Sequence, residues 1–215
     1  IFGGVEETLY VDIMIENCWN SGEIRGNIYV GGIAGYCDVF RIRQCYNLGT
    51  ITGEHDVGGI LGLAHHRVED CWNLGTVSAE TKSAGGIAGA MTNRLSPTTS
   101  VTIERCFNAG KISGEYDVGG IAGYMSAQFA HNSQINDCYN IGTVTATRNA
   151  AGIVAAKDSN MYVGVKLTGV YNAGTVQGAT TAELSSVAGI KHCCYLDETG
   201  METAAEARSH REMKK

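Results

Sequence analysis

Cys45-Tyr46-Asn47-Leu48-Gly49-Thr50-Ile51-Thr52-Gly53-Glu54-His55-Asp56-Val57-Gly58-Gly59-Ile60-Leu61-Gly62 is the stretch from which the rest of the chain can be read. It holds two phrases. The first, Cys-aromatic-Asn-x-Gly, recurs as Cys18-Trp19-Asn20-Ser21-Gly22, Cys71-Trp72-Asn73-Leu74-Gly75, Cys106-Phe107-Asn108-Ala109-Gly110 and Cys138-Tyr139-Asn140-Ile141-Gly142. Val170-Tyr171-Asn172-Ala173-Gly174 is a further copy with Val in place of Cys, and Cys194-Tyr195-Leu196-Asp197 reads as a decayed one. The second phrase, Gly-Gly-Ile-x-Gly, ends at Gly62 here and returns at Gly85 to Gly89 and Gly119 to Gly123. It is matched by Gly31 to Gly35 and more weakly by Ala151-Gly152-Ile153 and Ala188-Gly189-Ile190.

The spacing separates packed structure from loops. From the Asn of the first phrase to the second Gly of the next phrase is 12, 12, 13, 12, 12 and 17 residues. From that Gly to the following Cys (or Val170) is 13, 12, 20, 18 and 18 residues, so insertions concentrate in that one segment. Segments of constant length are packed, and variable ones are surface loops. The loops are expected at residues 90–100, 125–134 and 156–165, projecting from one side of successive coils, and as a binding candidate. Gly3-Gly4-Val5 reads as a further copy of the second phrase. The chain is therefore expected to open in mid-coil, as a piece of a longer array would.

A period near 27 residues, with short runs rich in β-branched residues between Gly and Asn, fits an all-β parallel β-helix better than helical repeats. Two or three strands per coil are expected, in runs such as Thr50-Ile51-Thr52 and Val101-Thr102-Ile103. Six to seven coils stacked about 4.8 Å apart make a rod roughly 30 Å long. The solenoid is assigned to residues 1–198. Residues 199–215, with the capping-box pattern Thr203-x-x-Glu206, are expected to form a short helical cap or a linker.

Winding about one axis turns alignment columns into ladders. Cys18, Cys45, Cys71, Cys106 and Cys138 are expected to point inward as small apolar groups, since Val170 shares their column. Parallel in-register neighbours point the same way, a poor geometry for a disulfide, so these thiols are expected to be free and buried. Cys37, Cys193 and Cys194 lie outside the column or at its end. Asn20, Asn47, Asn73, Asn108, Asn140 and Asn172 are expected to form an amide ladder at a turn, and the Gly two residues on to take a positive φ.

The chain has 215 residues, 29 Gly, 1 Pro, 18% charged residues and a formal charge of −6. No basic face exists to bind nucleic acid. No apolar run approaches the roughly 20 residues of a membrane helix.

Cys-aromatic-Asn-x-Gly-Thr-Val followed by Val-Gly-Gly-Ile-Ala-Gly resembles the GLUG-type repeat over about residues 3–195. That repeat occurs in large bacterial surface proteins, including adhesin-like proteins, and in regions flanking immunoglobulin A-cleaving metallopeptidases. The resemblance implies a β-solenoid fold and an extracellular, cell-surface location, and it implies no catalytic centre. The phrases at 150–154 and 187–190 depart from the pattern.

Candidate chemistry is sparse. No Cys-x-x-Cys pair, His-Glu-x-x-His helix, nucleophile elbow or phosphate loop occurs, so neither a metal site nor a cofactor is expected. Glu54-His55-Asp56 and Glu115-Tyr116-Asp117 occupy equivalent turns two coils apart, where acids serve solvation sooner than catalysis or Ca²⁺. His65-His66 are expected in a solvated loop. The aromatic column is Trp19, Tyr46, Trp72, Phe107, Tyr139 and Tyr171. If the cysteines face in, it faces out, because strand neighbours alternate. Exposed, it could bind sugars or a protein. Because apolar stripes of this size are rare on soluble monomers, loops are expected to cover it or a corner to turn it inward. The favoured function is a non-catalytic adhesin-like scaffold whose partner is a glycan or a host or matrix protein. The alternative is a carbohydrate-binding or carbohydrate-cleaving β-helix.

Overall fold

A computed structural model describes residues 13–37, 40–93, 100–127, 133–157, 165–182, 190–191 and 194–195. They form a stack of short strands in five parallel sheets of 7, 7, 6, 6 and 5 strands, which is a parallel β-helix. Sheet 1 runs from Ile13–Glu16 through Phe40–Arg43, Arg67–Glu69, Thr102–Glu104, Ser133–Asn136 and Val165–Thr168 to Ile190–Lys191. Sheet 2 holds the aromatic-Asn pairs from Trp19–Asn20 to Tyr171–Asn172 and ends on Cys194–Tyr195. Sheet 3 starts with Ile24–Arg25 and Ile51–Gly53, sheet 4 with Ile28–Gly31 and His55–Gly58, and sheet 5 with Ala34–Cys37 and Leu61–Ala64. A full coil therefore carries five strands, where two or three were expected. Several are two residues long, too short to register as β runs in a sequence.

The register follows the repeat. Asn20, Asn47, Asn73, Asn108, Asn140 and Asn172 are successive partners, and so are the six aromatic residues before them. The seventh rung departs from its expected alignment by one position. Cys194 pairs with Tyr171 and Tyr195 with Asn172, so Cys194 does not continue the cysteine column.

The interior is two cores, not one. The larger joins the isoleucine columns of sheet 1 (Ile15, Ile42, Ile103, Ile135) and of the second phrase (Ile33, Ile60, Ile87, Ile121, Ile153) with the cysteines. The smaller joins Ile51, Val77, Ile112 and Val144 of sheet 3 with Val30, Val57 and Val118 of sheet 4. Between them the coil narrows to a waist. On one side stands the asparagine column, wholly buried from Asn47 to Asn172. On the other runs the Gly-Gly backbone. A Cβ on Gly59 would lie 2.6 Å from Asn73 Cγ and 2.2 Å from the Gly86 carbonyl oxygen. Equivalent contacts join Gly86 to Asn108 and Gly120 to Asn140. The two phrases recur together because they meet across this waist.

Each interior amide is fully used. Asn73 accepts from Asn47 Nδ2 and from Gly75 N, and donates to Asn108 Oδ1 at 2.8 Å and to the Gly75 carbonyl at 3.0 Å. That is the entire capacity of a carboxamide. The inter-coil links run head to tail from Asn20 to Asn172 at 2.7–2.8 Å.

The expected positive φ at the Gly of Asn-x-Gly does not occur; the left-handed residues lie elsewhere. Six of them precede the cysteine column: Asn17, Gln44, Asp70, Arg105, Asp137 and Gly169, with φ between 51° and 64°; Tyr29 and Asp56, at 53° and 51°, lie in sheet 4. The glycine is required by close approach instead. A Cβ on Gly49, Gly75 or Gly110 would sit 1.9 Å from the carbonyl oxygen of the glycine one coil before.

The five cysteines of the column are free and, apart from the half-buried Cys18, buried. Their role is more polar than the apolar reading allowed. Each thiol reaches back across the left-handed residue to the carbonyl two positions before, at 3.1–3.4 Å. From Cys45 on, each also accepts the backbone N–H of the cysteine in the preceding coil, from Cys18 N to Cys45 Sγ (3.4 Å) up to Cys106 N to Cys138 Sγ (3.3 Å).

The expected loops are in part strand. Ala88–Asn93 and Ala122–Ala127 extend sheet 5 to six residues before the insertions begin. Residues 94–99, 128–132 and 158–164, the readings at 1–12 and 196–215, the side chain of Cys37, and Cys193 lie outside what the structure describes.

Candidate functional site

The run from Cys45 to Gly53 alternates buried and outward without a break. Cys45, Asn47, Gly49, Ile51 and Gly53 face in; Tyr46, Leu48, Thr50 and Thr52 face out. The same length separates Cys71 from Ala79, Cys106 from Gly114 and Cys138 from Ala146, so four outward columns run along the rod. They are an aromatic column, an aliphatic column (Leu48, Leu74, Ala109, Ile141, Ala173), and two columns dominated by hydroxyls. The hydroxyl columns are Thr50, Thr76, Lys111, Thr143 and Thr175, and Thr52, Ser78, Ser113, Thr145 and Gln177.

The aromatic residues were expected to be covered or turned into the core, and they are neither. Trp19 is 57% exposed and the other five are half-buried. The alternation set by the inward cysteines and asparagines holds them out. What buries them is one another: ring centroids along the column are 6.1, 5.0, 6.1, 5.0 and 5.0 Å apart, with interplanar angles of 2–11°. Each interior ring thus spends both faces on its neighbours and turns an edge to solvent. The offset stacking adds about 0.5–1.5 kcal/mol per pair beyond area burial.

Beside the rings, Leu48, Leu74 and Ile141 are 47%, 47% and 50% exposed. They are the variable residue of Asn-x-Gly. Extending the period-2 count past the asparagine would have found them. On the other flank lie the six left-handed residues that precede the cysteine column, and a charged cluster. Arg105 bonds Asp70 Oδ1 at 2.7 Å, pairs with Glu104, and reaches Glu69 at 3.7 Å; Arg67 and Glu69 lie 3.1 Å apart. Hydrogen bonding to Arg105 holds the Asp70 carboxyl below the usual range.

The acidic turns come together with their own neighbours and not with each other. Register places the Ala79 coil between those of Gly53 and Gly114. Asp117 accepts from Asn149 at 2.8 Å, His55 Nδ1 lies 2.8 Å from Thr81 Oγ1, and Arg148 sits over the Tyr116 ring at 4.6 Å. Burial pushes the Asp56 carboxyl up, against the hydrogen bond from Ser83 and the charge of Lys82. His65 is not solvated as expected: it is 5% exposed and meets the Tyr36 ring edge-on at 5.1 Å, because the sheet 5 strand ending at Ala64 carries it into packed structure. Among the described residues no three His, Cys, Asp or Glu side chains gather as metal ligands, and no helix is long and apolar enough to cross a membrane.

No family model and no curated protein matches the sequence. Among solved structures, the chain is similar to a Bacteroides ovatus protein described as a putative immunoglobulin A1 protease. The TM-score is 0.58 at 20% identity, over 89% of this chain and 62% of that one. At that identity the likeness concerns the fold, a repeat all-β solenoid. The chain spans less than two thirds of the other protein's length.

Proposed function

We propose that this chain is a non-catalytic module of a bacterial cell-surface protein of the GLUG-repeat type, an adhesin-like scaffold that holds a binding face rigid. The observation that carries the reading is the outward six-ring column flanked by exposed Leu48, Leu74 and Ile141. Apolar surface of this regularity on a folded monomer marks an interaction site. The repeat phrases and the solenoid fold shared with the Bacteroides ovatus protein support a surface setting. The turn carboxylates support the non-catalytic part, since Asp56 and Asp117 are engaged with Ser83 and Asn149 of adjoining coils.

The test is adhesion by beads coated with the chain to glycan arrays and to immobilised matrix proteins, with the same chain assayed for polysaccharide depolymerisation and immunoglobulin A cleavage. Binding without turnover is the expected result. Polysaccharide cleavage that disappears in Glu54→Gln or Glu115→Gln would replace the scaffold reading with a depolymerising one, and binding to nothing on either panel would remove it.

A further inference from the structure

We infer that the four-column face built from Tyr46–Thr52 and its equivalents seats a linear, uncharged polysaccharide lying along the rod axis. The inference rests on the scaffold reading above and names its ligand class.

The face is almost free of charge. Of its twenty outward positions in the five coils from Tyr46 to Gln177, one, Lys111, is charged, on a chain whose formal charge is −6. An anionic polymer would find one cation there, and a cationic one nothing to pair with. Phosphate and sulfate recognition needs far more.

Its size decides between classes of partner. Five rungs about 4.8 Å apart give roughly 19 Å of length, and seven residues at about 3.3 Å each give at most about 23 Å of width. The resulting area, on the order of 400 Å², is about half of what each side of a standard protein–protein interface buries. It is ample for several sugar units. The long variable segments fall outside the run that forms it: 94–99, 128–132 and 158–164 each come between a strand of sheet 5 and one of sheet 1 in chain order. A regular surface with a constant rise suits a ligand that itself repeats.

The chemistry of the columns matches a pyranose chain. Such a polymer presents apolar C–H patches and rows of neutral hydroxyls. The aliphatic column offers the first a contact, and the threonine and serine columns offer the second donors and acceptors. Ser113 Oγ and Ser78 Oγ already lie 3.3 Å apart across one rung. Sugar stacking on ring faces, the usual mode, is closed in the interior of the column, because those faces cover each other at 5.0–6.1 Å. The rings act as a stiff wall whose edges the chain lies against, and specificity passes to Leu74, Ile141 and the hydroxyls.

The experiment uses the full chain in affinity electrophoresis and calorimetry against a soluble β-glucan, a xylan, a mannan and, as anionic comparator, polygalacturonate. Leu74→Glu and Thr143→Glu place a charge on the face at exposed positions, with folding checked by circular dichroism; Glu115→Gln alters a turn outside it. The expected result is binding to at least one neutral polymer, weakened tenfold or more by each face variant and unchanged by Glu115→Gln, with polygalacturonate at least tenfold weaker. The inference is overturned if no neutral polymer binds, if binding survives both face variants, or if the chain sediments as a dimer that Leu74→Glu dissociates. Adhesion to a matrix protein that both face variants lose, with no neutral polymer bound, would overturn it while leaving the scaffold reading in place.

Discussion

A single methyl group separates two kinds of glycine here. At Gly75 an added Cβ would stand 1.9 Å from the Gly49 carbonyl oxygen and 2.6 Å from Asn47 Nδ2. At Gly22, in the first described coil, the nearest atom would be Asn20 Oδ1 at an ordinary 3.7 Å. Neither has a positive φ, so strain does not blur the comparison. Gly75→Ala is expected to cost several kcal/mol or prevent folding, because the clash is with backbone, while Gly22→Ala should stay within about 1 kcal/mol. Urea midpoints of the two variants measure this; equal midpoints would refute the close-approach account. Asn73→Ala makes a parallel case. It removes four hydrogen bonds in a wholly buried column and is expected to cost about 3 kcal/mol or more. Asn20→Ala loses one inter-coil link at a half-exposed end and should cost clearly less.

At the scale of the element, the cysteine ladder couples stability to pH. Hydrogen bonding to the next thiol, with burial, raises Cys45 and Cys71 above the ordinary thiol value, and burial, with the next thiol, raises Cys106. A folded pKa above the unfolded one means that the full contribution is present below the unfolded value, about 8.5, and is lost as pH rises beyond it. Each such thiol removes about 1.4 kcal/mol per pH unit above that point while it stays protonated in the fold. Thermal midpoints should therefore fall steeply between pH 9 and 10, below the range where Tyr139 and Tyr171, themselves raised by burial, begin to ionise. A Cys71→Ser variant should fall less steeply. Brief alkylation at pH 8.5, read by mass spectrometry, should mark Cys18 and spare Cys45, Cys71, Cys106 and Cys138; labelling of all five at similar rates would contradict the ladder.

The same element shows what the sequence made legible. Columns of identical residues announced themselves: asparagine, cysteine and aromatic positions could each be placed as inward or outward from alternation alone. The left-handed turn before each cysteine could not, because Asn17, Gln44, Asp70, Arg105, Asp137 and Gly169 share a conformation and no chemistry. The waist was hidden for another reason. Its two sides, Asn73 and Gly59, lie fourteen positions apart and meet only once the coil has closed. The half-exposure of the rings is hidden for a third reason: what covers them is stacking on the same column, a contact no single coil contains.

The whole molecule behaves as a one-dimensional stack, in which each coil is held only by its neighbours and about three are needed for stability. This makes the consequence of an insertion depend on where in the coil it falls. One serine inserted between Gly75 and Thr76 moves every later residue of that strand to the opposite face, so that Val77, wholly buried beside Ile51 and Ile112, turns to solvent. The rod is then cut at its third described rung. The rungs from Cys106 to Asn172 still number three and should keep slow hydrogen exchange, whereas Ile13 to Asn47 is left with two rungs and should lose protection. The same serine between Ser96 and Pro97 falls in the segment whose length already varies from 12 to 20 residues, and both halves should remain protected as in the parent. Exchange measured by mass spectrometry on the two variants separates the outcomes: protection lost evenly along the chain in the first variant would mean a stack more cooperative than nearest-neighbour contacts allow, and loss in the second would mean that the joint between sheets 5 and 1 is part of the packed coil.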